Sequence, residues 1–148
     1  MCRQGGSVIQ KQVLDKIKDP KIRVLVVWVP MLAFDTQPPD KETLAIVSDG
    51  RAKHFWDEKR VTPGLVAATL GLPDGKLAWD VYMVFRPGVR FDRTAPKPDY
   101  WEHQLTGVTQ APRLDGDRFA SKLRSILGRS ATDNPMMGLH DSWELFFR

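Results

Sequence analysis

Cysteine is almost missing from this sequence of 148 residues: it occurs once, as Cys2. A single cysteine excludes an intrachain disulfide and any zinc site built on cysteines. No apolar run approaches the roughly 18 residues that a membrane-spanning helix needs, so no membrane span is expected. A hydrophobic signal-peptide core is also lacking at the N-terminus. As written the chain reads as cytoplasmic, and as exported only if a signal peptide precedes Met1. Lys and Arg exceed Asp and Glu by 22 to 18, a net charge of +4, and no basic cluster interleaves with aromatics. Nucleic acid is therefore not expected as a partner. The three histidines, His54, His103 and His140, show no metal-ligand spacing, and no metal or other cofactor is implied. Trp-Asp recurs at 56–57 and 79–80. Without a period near 40–45 residues this is not a propeller signature. There is no internal repeat and no low-complexity tract.

What remains suits one soluble domain with one core, residues 1–128, followed by a tail, 129–148, that offers an extra strand. Val8/Ile9, Gln12/Val13 and Ile17 recur at helical spacing and predict a helix ending near Lys18, before Asp19-Pro20. Ile22 to Val29 is nearly continuous in β-branched residues, as in a strand covered on both faces. Pro38-Pro39 closes a loop, and Pro39 opens a helix with Asp40 and Glu42 in its positive first turn. Ala52 to Asp57 reads as a short strand or an irregular segment. Thr62-Pro63 predicts an N-cap and first helical residue, with the helix stopping at Gly71. Leu77 to Phe85 predicts a second buried strand with Trp79 in the core. Arg86-Pro87-Gly88 then turns the chain into a returning strand, Val89-Arg90-Phe91. Leu114 to Leu127 predicts the last helix, stopped by Gly128, with Arg118, Lys122 and Arg124 on a solvated face. Trp143 to Phe147 is either a short strand or a tail.

Cys2 stands where the first helix begins. The first turn of a helix carries unpaired N–H groups and partial positive charge, which stabilise a thiolate and lower its pKa. The order cysteine, helix, buried strand fits thiol redox chemistry. It fits equally a cysteine on a flexible end. Asp80, beside a buried strand, is either held by hydrogen bonds or available to accept a proton. His54 with Asp57 is a candidate polar pair. Tyr100, Trp101 and Phe91 offer either a binding surface or the cover of a core edge.

The segments Arg23 to Leu32, Pro38-Pro39, His54-Phe55-Trp56-Asp57, and Trp79 to Phe85 with Pro87-Gly88 are similar to those of a group of thioredoxin-like proteins. The resemblance covers about residues 2–127. It implies an α/β fold, a thioredoxin-like three-layer α/β/α sandwich incomplete at its N-terminus, and thiol-disulfide oxidoreductase chemistry. In that pattern Cys2 carries over as the attacking cysteine, and the resolving cysteine falls on Gly5. A cis-proline is expected near Asp80, where none is present. In thioredoxin-like domains a buried acid can take the thiol proton, the part implied for Asp80. A central strand should precede the cysteine, but only Met1 does, and the candidate to fill that gap is Trp143 to Phe147. With Gly5 unable to resolve a mixed disulfide, the implied partner is a thiol such as glutathione or a redox protein such as thioredoxin. An unpaired sheet edge would instead invite a homo-oligomer. The competing expectation is a binding or structural module that has lost redox chemistry.

Overall fold

The computed structural model describes residues 3–33, 35–133 and 143–147; Cys2 and His140 lie outside them. Helix α1, Arg3–Val8, continues without a break as a π-helical stretch, Ile9–Leu14. Strand β1, Ile22–Trp28, follows. Helix α2, Lys41–Leu44, tightens into a 3-10 turn, Ala45–Val47. Next come β2, Ala52–Trp56, α3, Val61–Leu70, β3, Val81–Phe85, and β4, Tyr100–His103. Helix α4, Gly116–Asp133, and β5, Trp143–Phe147, complete the described chain.

The strands form one mixed sheet in the order β2-β1-β5-β3-β4. β1 runs parallel to β2, with Val26 opposite His54, and parallel to β5, with Val24 opposite Leu145. β3 runs antiparallel to β5, with Val84 opposite Leu145, and to β4, with Met83 opposite Trp101. The last strand in the sequence thus lies between the two most apolar ones. Its backbone satisfies groups that would otherwise be orphaned along β1 and β3.

Side chains alternate across the pleat, so each apolar strand feeds two cores. Val24, Val26 and Trp28 of β1 and Tyr82 and Val84 of β3 pack with Ile9, Val13 and Leu14 and with Phe119, Ala120 and Leu123 of α4. Val27 of β1 and Val81, Met83 and Phe85 of β3 pack on the other face with Val66, Ala67 and Leu70 of α3. The fold is mixed α/β, with apolar helix faces packed on both sides of the sheet. This is why β1 and β3 read as continuous apolar runs rather than alternating ones.

Local chemistry sets the helix ends. Asp40 is the N-cap of α2, accepting from the Thr43 amide at 2.8 Å, so the helix begins at Lys41, two residues later than Pro39 suggests. For α3 the expected Thr62 cap is replaced by Asp57, whose carboxylate accepts from the amides of Val61 at 3.1 Å and Thr62 at 2.7 Å. Gly71, at φ +63°, ends α3 in the left-handed conformation that glycine adopts without steric cost. Arg51 closes the end of the first helical segment. Its guanidinium donates to the carbonyls of Leu14 at 3.1 Å, Ile17 at 2.8 Å and Asp19 at 3.0 Å, while pairing with the Asp49 carboxylate at 2.8 Å.

Three stretches depart from the sequence expectation. Residues 77–80 do not extend β3: the Ala78 amide donates to the Pro63 carbonyl at 3.1 Å, which ties this segment to α3, and Trp79 is 39% exposed rather than in the core. Val89 to Phe91 is not the returning strand. The turn at Gly88 is present, but β3 pairs with β4, after a loop held by Arg86 and Asp99, whose carboxylate accepts the Arg86 amide at 2.8 Å. Gly128 does not stop α4, which runs to Asp133. A single glycine in a helix interior costs only about 1 kcal/mol, less than packing supplies.

Candidate functional site

The first turn of α1, the start of β3 and the end of β4 meet at one place. Asp80, immediately before β3, is 6% exposed and adopts φ +53°. Aspartate tolerates the left-handed region better than most residues, but such a conformation still costs about 1–3 kcal/mol and persists only where the surroundings hold it. One such hold is visible: the Asp80 carbonyl accepts from the Gln104 amide at 2.9 Å. The Gln104 side chain turns back, and its Oε1 accepts from the Tyr82 hydroxyl at 3.2 Å. That hydroxyl faces Gly5, buried in α1. A Cβ at position 5 would overlap the Tyr82 hydroxyl oxygen and lie 2.5 Å from its Cζ and 2.6 Å from Gln104 Oε1.

Arg3, bonded directly to Cys2, is the first described residue of α1. Its guanidinium donates to the Thr43 hydroxyl at 3.0 Å, tying the first turn to α2. Thr43 is buried, and its hydroxyl and amide hold the Asp40 carboxyl below the usual carboxylate range, with a smaller contribution from the Arg3 charge. At its other end the α1 segment packs closely on α4. A Cβ at Gly116 would come within 2.6 Å of Gln12 Cβ.

Of the sequence candidates, Asp80 lies at this junction and Cys2 falls outside the described residues. The histidines His54 and His103 are elsewhere, with both ring nitrogens engaged. His54 Nδ1 accepts from the Trp28 indole at 3.0 Å, which leaves Nε2 to donate to the Val47 carbonyl at 3.1 Å. The Asp57 carboxylate, the other half of the candidate pair with His54, caps α3. His103 is fully buried. Its Nδ1 accepts from the Leu105 amide at 3.0 Å and its Nε2 donates to the Ala111 carbonyl at 2.9 Å. Both rings act as structural bridges.

The sequence reading passed over a buried polar network at β4. Glu102 is fully buried. Its Oε1 accepts from the Tyr100 hydroxyl and from Arg118 Nε at 2.8 Å, and its Oε2 accepts from the Asp115 amide at 2.7 Å. Burial first, and then the Glu102 carboxylate, push the Tyr100 phenol up to about 12. The same carboxylate raises Arg118 above its ordinary value. Arg118 is solvent-exposed, as expected of its helix face, and at the same time clamps α4 to β4 through Glu102. The available signal was the alternation Tyr100, Glu102 inside an aromatic segment. Tyr100 also tilts against Phe119 at 5.8 Å, with Lys122 5.9 Å above its ring, and Phe91 meets Phe85 edge-on at 5.6 Å. These aromatics cover core edges.

Among the described residues no group of three His, Cys, Asp or Glu side chains converges as a metal ion requires. Nor is any described helix long and apolar enough to cross a membrane. Comparison with protein-family models, with curated proteins and with solved structures gives no match.

Proposed function

We propose that this chain is a thiol-dependent redox protein of the thioredoxin-like class, an α/β/α sandwich whose single reactive group is the Cys2 thiolate. The observation that carries the reading is the junction of the first turn of α1 with Asp80 and Tyr82 at the start of β3. That junction sets Gly5, three positions after the only cysteine, against Tyr82 and Gln104, with the buried Asp80 in left-handed backbone holding the Gln104 amide. The sheet order adds support, because β5 lies parallel to β1 and antiparallel to β3, where such a sandwich needs a central strand.

In this reading the positive end of the helix favours the thiolate, and Asp80 takes the thiol proton. The Cys2 sulfur attacks one sulfur of a disulfide. An S–S bond forms to Cys2 as the original S–S bond breaks, and the departing thiolate leaves with the electron pair. A second thiol such as glutathione then attacks the mixed disulfide, carries away the bound sulfur and returns the Cys2 thiolate. With a peroxide, the Cys2 sulfur takes one oxygen and an alcohol or water leaves. One glutathione converts the sulfenic acid to a mixed disulfide with loss of water, and a second releases it as oxidised glutathione.

The test is the rate of alkylation of Cys2 across pH, beside an unstructured cysteine peptide. The reading expects an apparent pKa below the ordinary thiol value of roughly 8.5. An apparent pKa at or above that of the peptide removes the redox proposal. The second reading, a thioredoxin-like binding or structural module without redox chemistry, is favoured by one observation: position 5 has no room for a second thiol.

A further inference from the structure

Strand β2 is an outer strand of the sheet, and among the described residues no strand lies beyond it. The Val24 amide donates to the Arg51 carbonyl at 3.2 Å, and the Asp57 amide to the Trp28 carbonyl at 2.9 Å. With Val26 opposite His54, the odd-numbered residues of β2 therefore turn their backbone groups to β1. Ala52, His54 and Trp56 turn theirs outward. The Ala52 amide is already taken by the Asp49 carbonyl at 2.8 Å, in the turn that enters the strand. What the edge offers is thus the amides and carbonyls of His54 and Trp56. Lys53 and Phe55 place their side chains on the α3 face of the sheet, Phe55 beside Val27. Both are exposed, Phe55 at 49%. A lone exposed phenylalanine is ordinary. This one stands midway between the two outward-facing residues, with a lysine two positions before it and an aspartate two positions after.

From this pattern we infer that β2 pairs antiparallel with β2 of a second copy of this chain, about a two-fold axis through Phe55, joining two five-stranded sheets into one. The place of the axis follows from what each register brings together, since outward residues must meet outward residues. An axis through Lys53 sets two lysines face to face, and like charges directly opposite are destabilising. An axis through His54 spends a pairing on Ala52, whose amide is already bound. An axis through Trp56 carries His54 past the end of the facing strand. An axis through Phe55 lets His54 of each copy exchange both backbone bonds with Trp56 of the other, so every outward group of the two residues is paired. The two Phe55 rings then meet on the axis as a close, non-hydrogen-bonded pair. Lys53 of each copy faces Asp57 of the other on the same side of the sheet, an opposite-charge pair on either side of the rings. Asp57 keeps its hold on α3, because a carboxylate has lone pairs for a lysine beyond those that take the Val61 and Thr62 amides. A lysine on an edge strand normally keeps strands apart. Here it selects one register. Every contact is repeated by the symmetry, as an isologous dimer requires. The contact is small, so association in the micromolar rather than the nanomolar range is expected. This interface does not depend on the redox reading.

Sedimentation velocity of the full chain under reducing conditions, where no Cys2 disulfide can join two chains, tests this. Wild type is expected to approach twice the 16.8 kDa of one chain as its concentration rises through the micromolar range. Lys53→Glu turns both opposite-charge pairs into like-charge pairs and is expected to weaken association by about tenfold or more. Phe55→Glu sets two carboxylates together on the axis and is expected to be monomeric. Both side chains are exposed, and thermal melting of each variant checks that the fold is kept; if Phe55→Glu does not fold, Lys53→Glu decides. Cross-linking in a Cys2→Ser background reads the register. Phe55→Cys is expected to form an interchain disulfide on mild oxidation, because the Cα atoms of such an axial pair lie about 4.5 Å apart, within disulfide reach. Lys53→Cys is expected to form none, because its two copies lie about 13 Å apart along the paired strands. A wild type that stays monomeric throughout the range overturns the inference, whether the edge stays bare or takes another protein. A dimer that Lys53→Glu and Phe55→Glu leave intact overturns it as well, as does cross-linking through Lys53→Cys that equals or exceeds that through Phe55→Cys.

Discussion

Replacing Glu102 by alanine removes the acceptor for three donors at once: the Tyr100 hydroxyl, Arg118 Nε and the Asp115 amide. Hydrogen bonds to a charged group contribute about 1.5–3 kcal/mol each, but Arg118 is partly solvated and regains water when released. The Asp115 amide and the Tyr100 hydroxyl recover less, and the truncated side chain leaves a void. Breaking a buried charged network of this kind costs about 3–5 kcal/mol against a net stability of about 5–15 kcal/mol. For a chain of this length that lowers the melting temperature by roughly 6–20 °C. Glu102→Gln keeps the shape but places an amide donor against other donors, so it falls between wild type and alanine. Thermal melting by circular dichroism is the assay, with the exposed Glu58→Ala as control. A double cycle with Arg118→Ala separates the ion pair from the rest. If Glu102→Ala melts with the Glu58 control, the network contributes nothing to stability and the argument from its burial is wrong.

Three further outcomes are expected, with a fourth from the tail. Arg51→Ala exposes the carbonyls that end the first helical segment and leaves Asp49 without its partner, for a loss of about 2–4 kcal/mol in denaturant unfolding, with Arg51→Lys intermediate because it lacks the guanidinium fork. The Arg51 hydrogen bond holds the Asp49 carboxyl below its ordinary value of 3.8, so this contribution is full above that pH and is lost as pH falls further, which acid titration of stability in wild type and Asp49→Asn would show. The Tyr100 phenol is raised from 10.0 to about 12, so its share of stability is whole below pH 10 and declines as pH rises through 12; tyrosinate absorbance in a Tyr82→Phe background reads it, and a midpoint at the ordinary value contradicts the burial argument. Removing residues 139–148 takes β5 from between β1 and β3 and is expected to lower the melting temperature by several degrees or cause association through the exposed edges; unchanged melting and oligomeric state would show that the sheet does not depend on β5.

Much of the architecture follows from local chemistry. The β-branched run at Ile22 to Trp28 could bury both faces only in a sheet covered on both sides. Gly71 ends α3 for a reason written in its own backbone, whereas the first helical segment stops at Leu14, four residues before the expected Lys18, with Arg51 holding its end carbonyls; Cys2 stands out because it is alone. What the sequence could not decide by itself depends on contacts between distant residues. Trp79-Asp80 reads as strand, yet the Ala78 amide is drawn to Pro63 and Asp80 turns left-handed before β3 starts. Strand identity at Val89 to Phe91 and at Tyr100 to His103 is similar by composition, and only the pairing of β3 with β4 separates them. Glu102 and Arg118 are ordinary charged residues until β4 and α4 pack together. Gly5 reads as a missing cysteine, but its meaning is steric and comes from the Tyr82 hydroxyl, 77 positions further along the chain. Alternation and capping act over a few residues and are legible in order, whereas the place of β5 in the sheet and the closure of position 5 arise from packing, which only the folded chain decides.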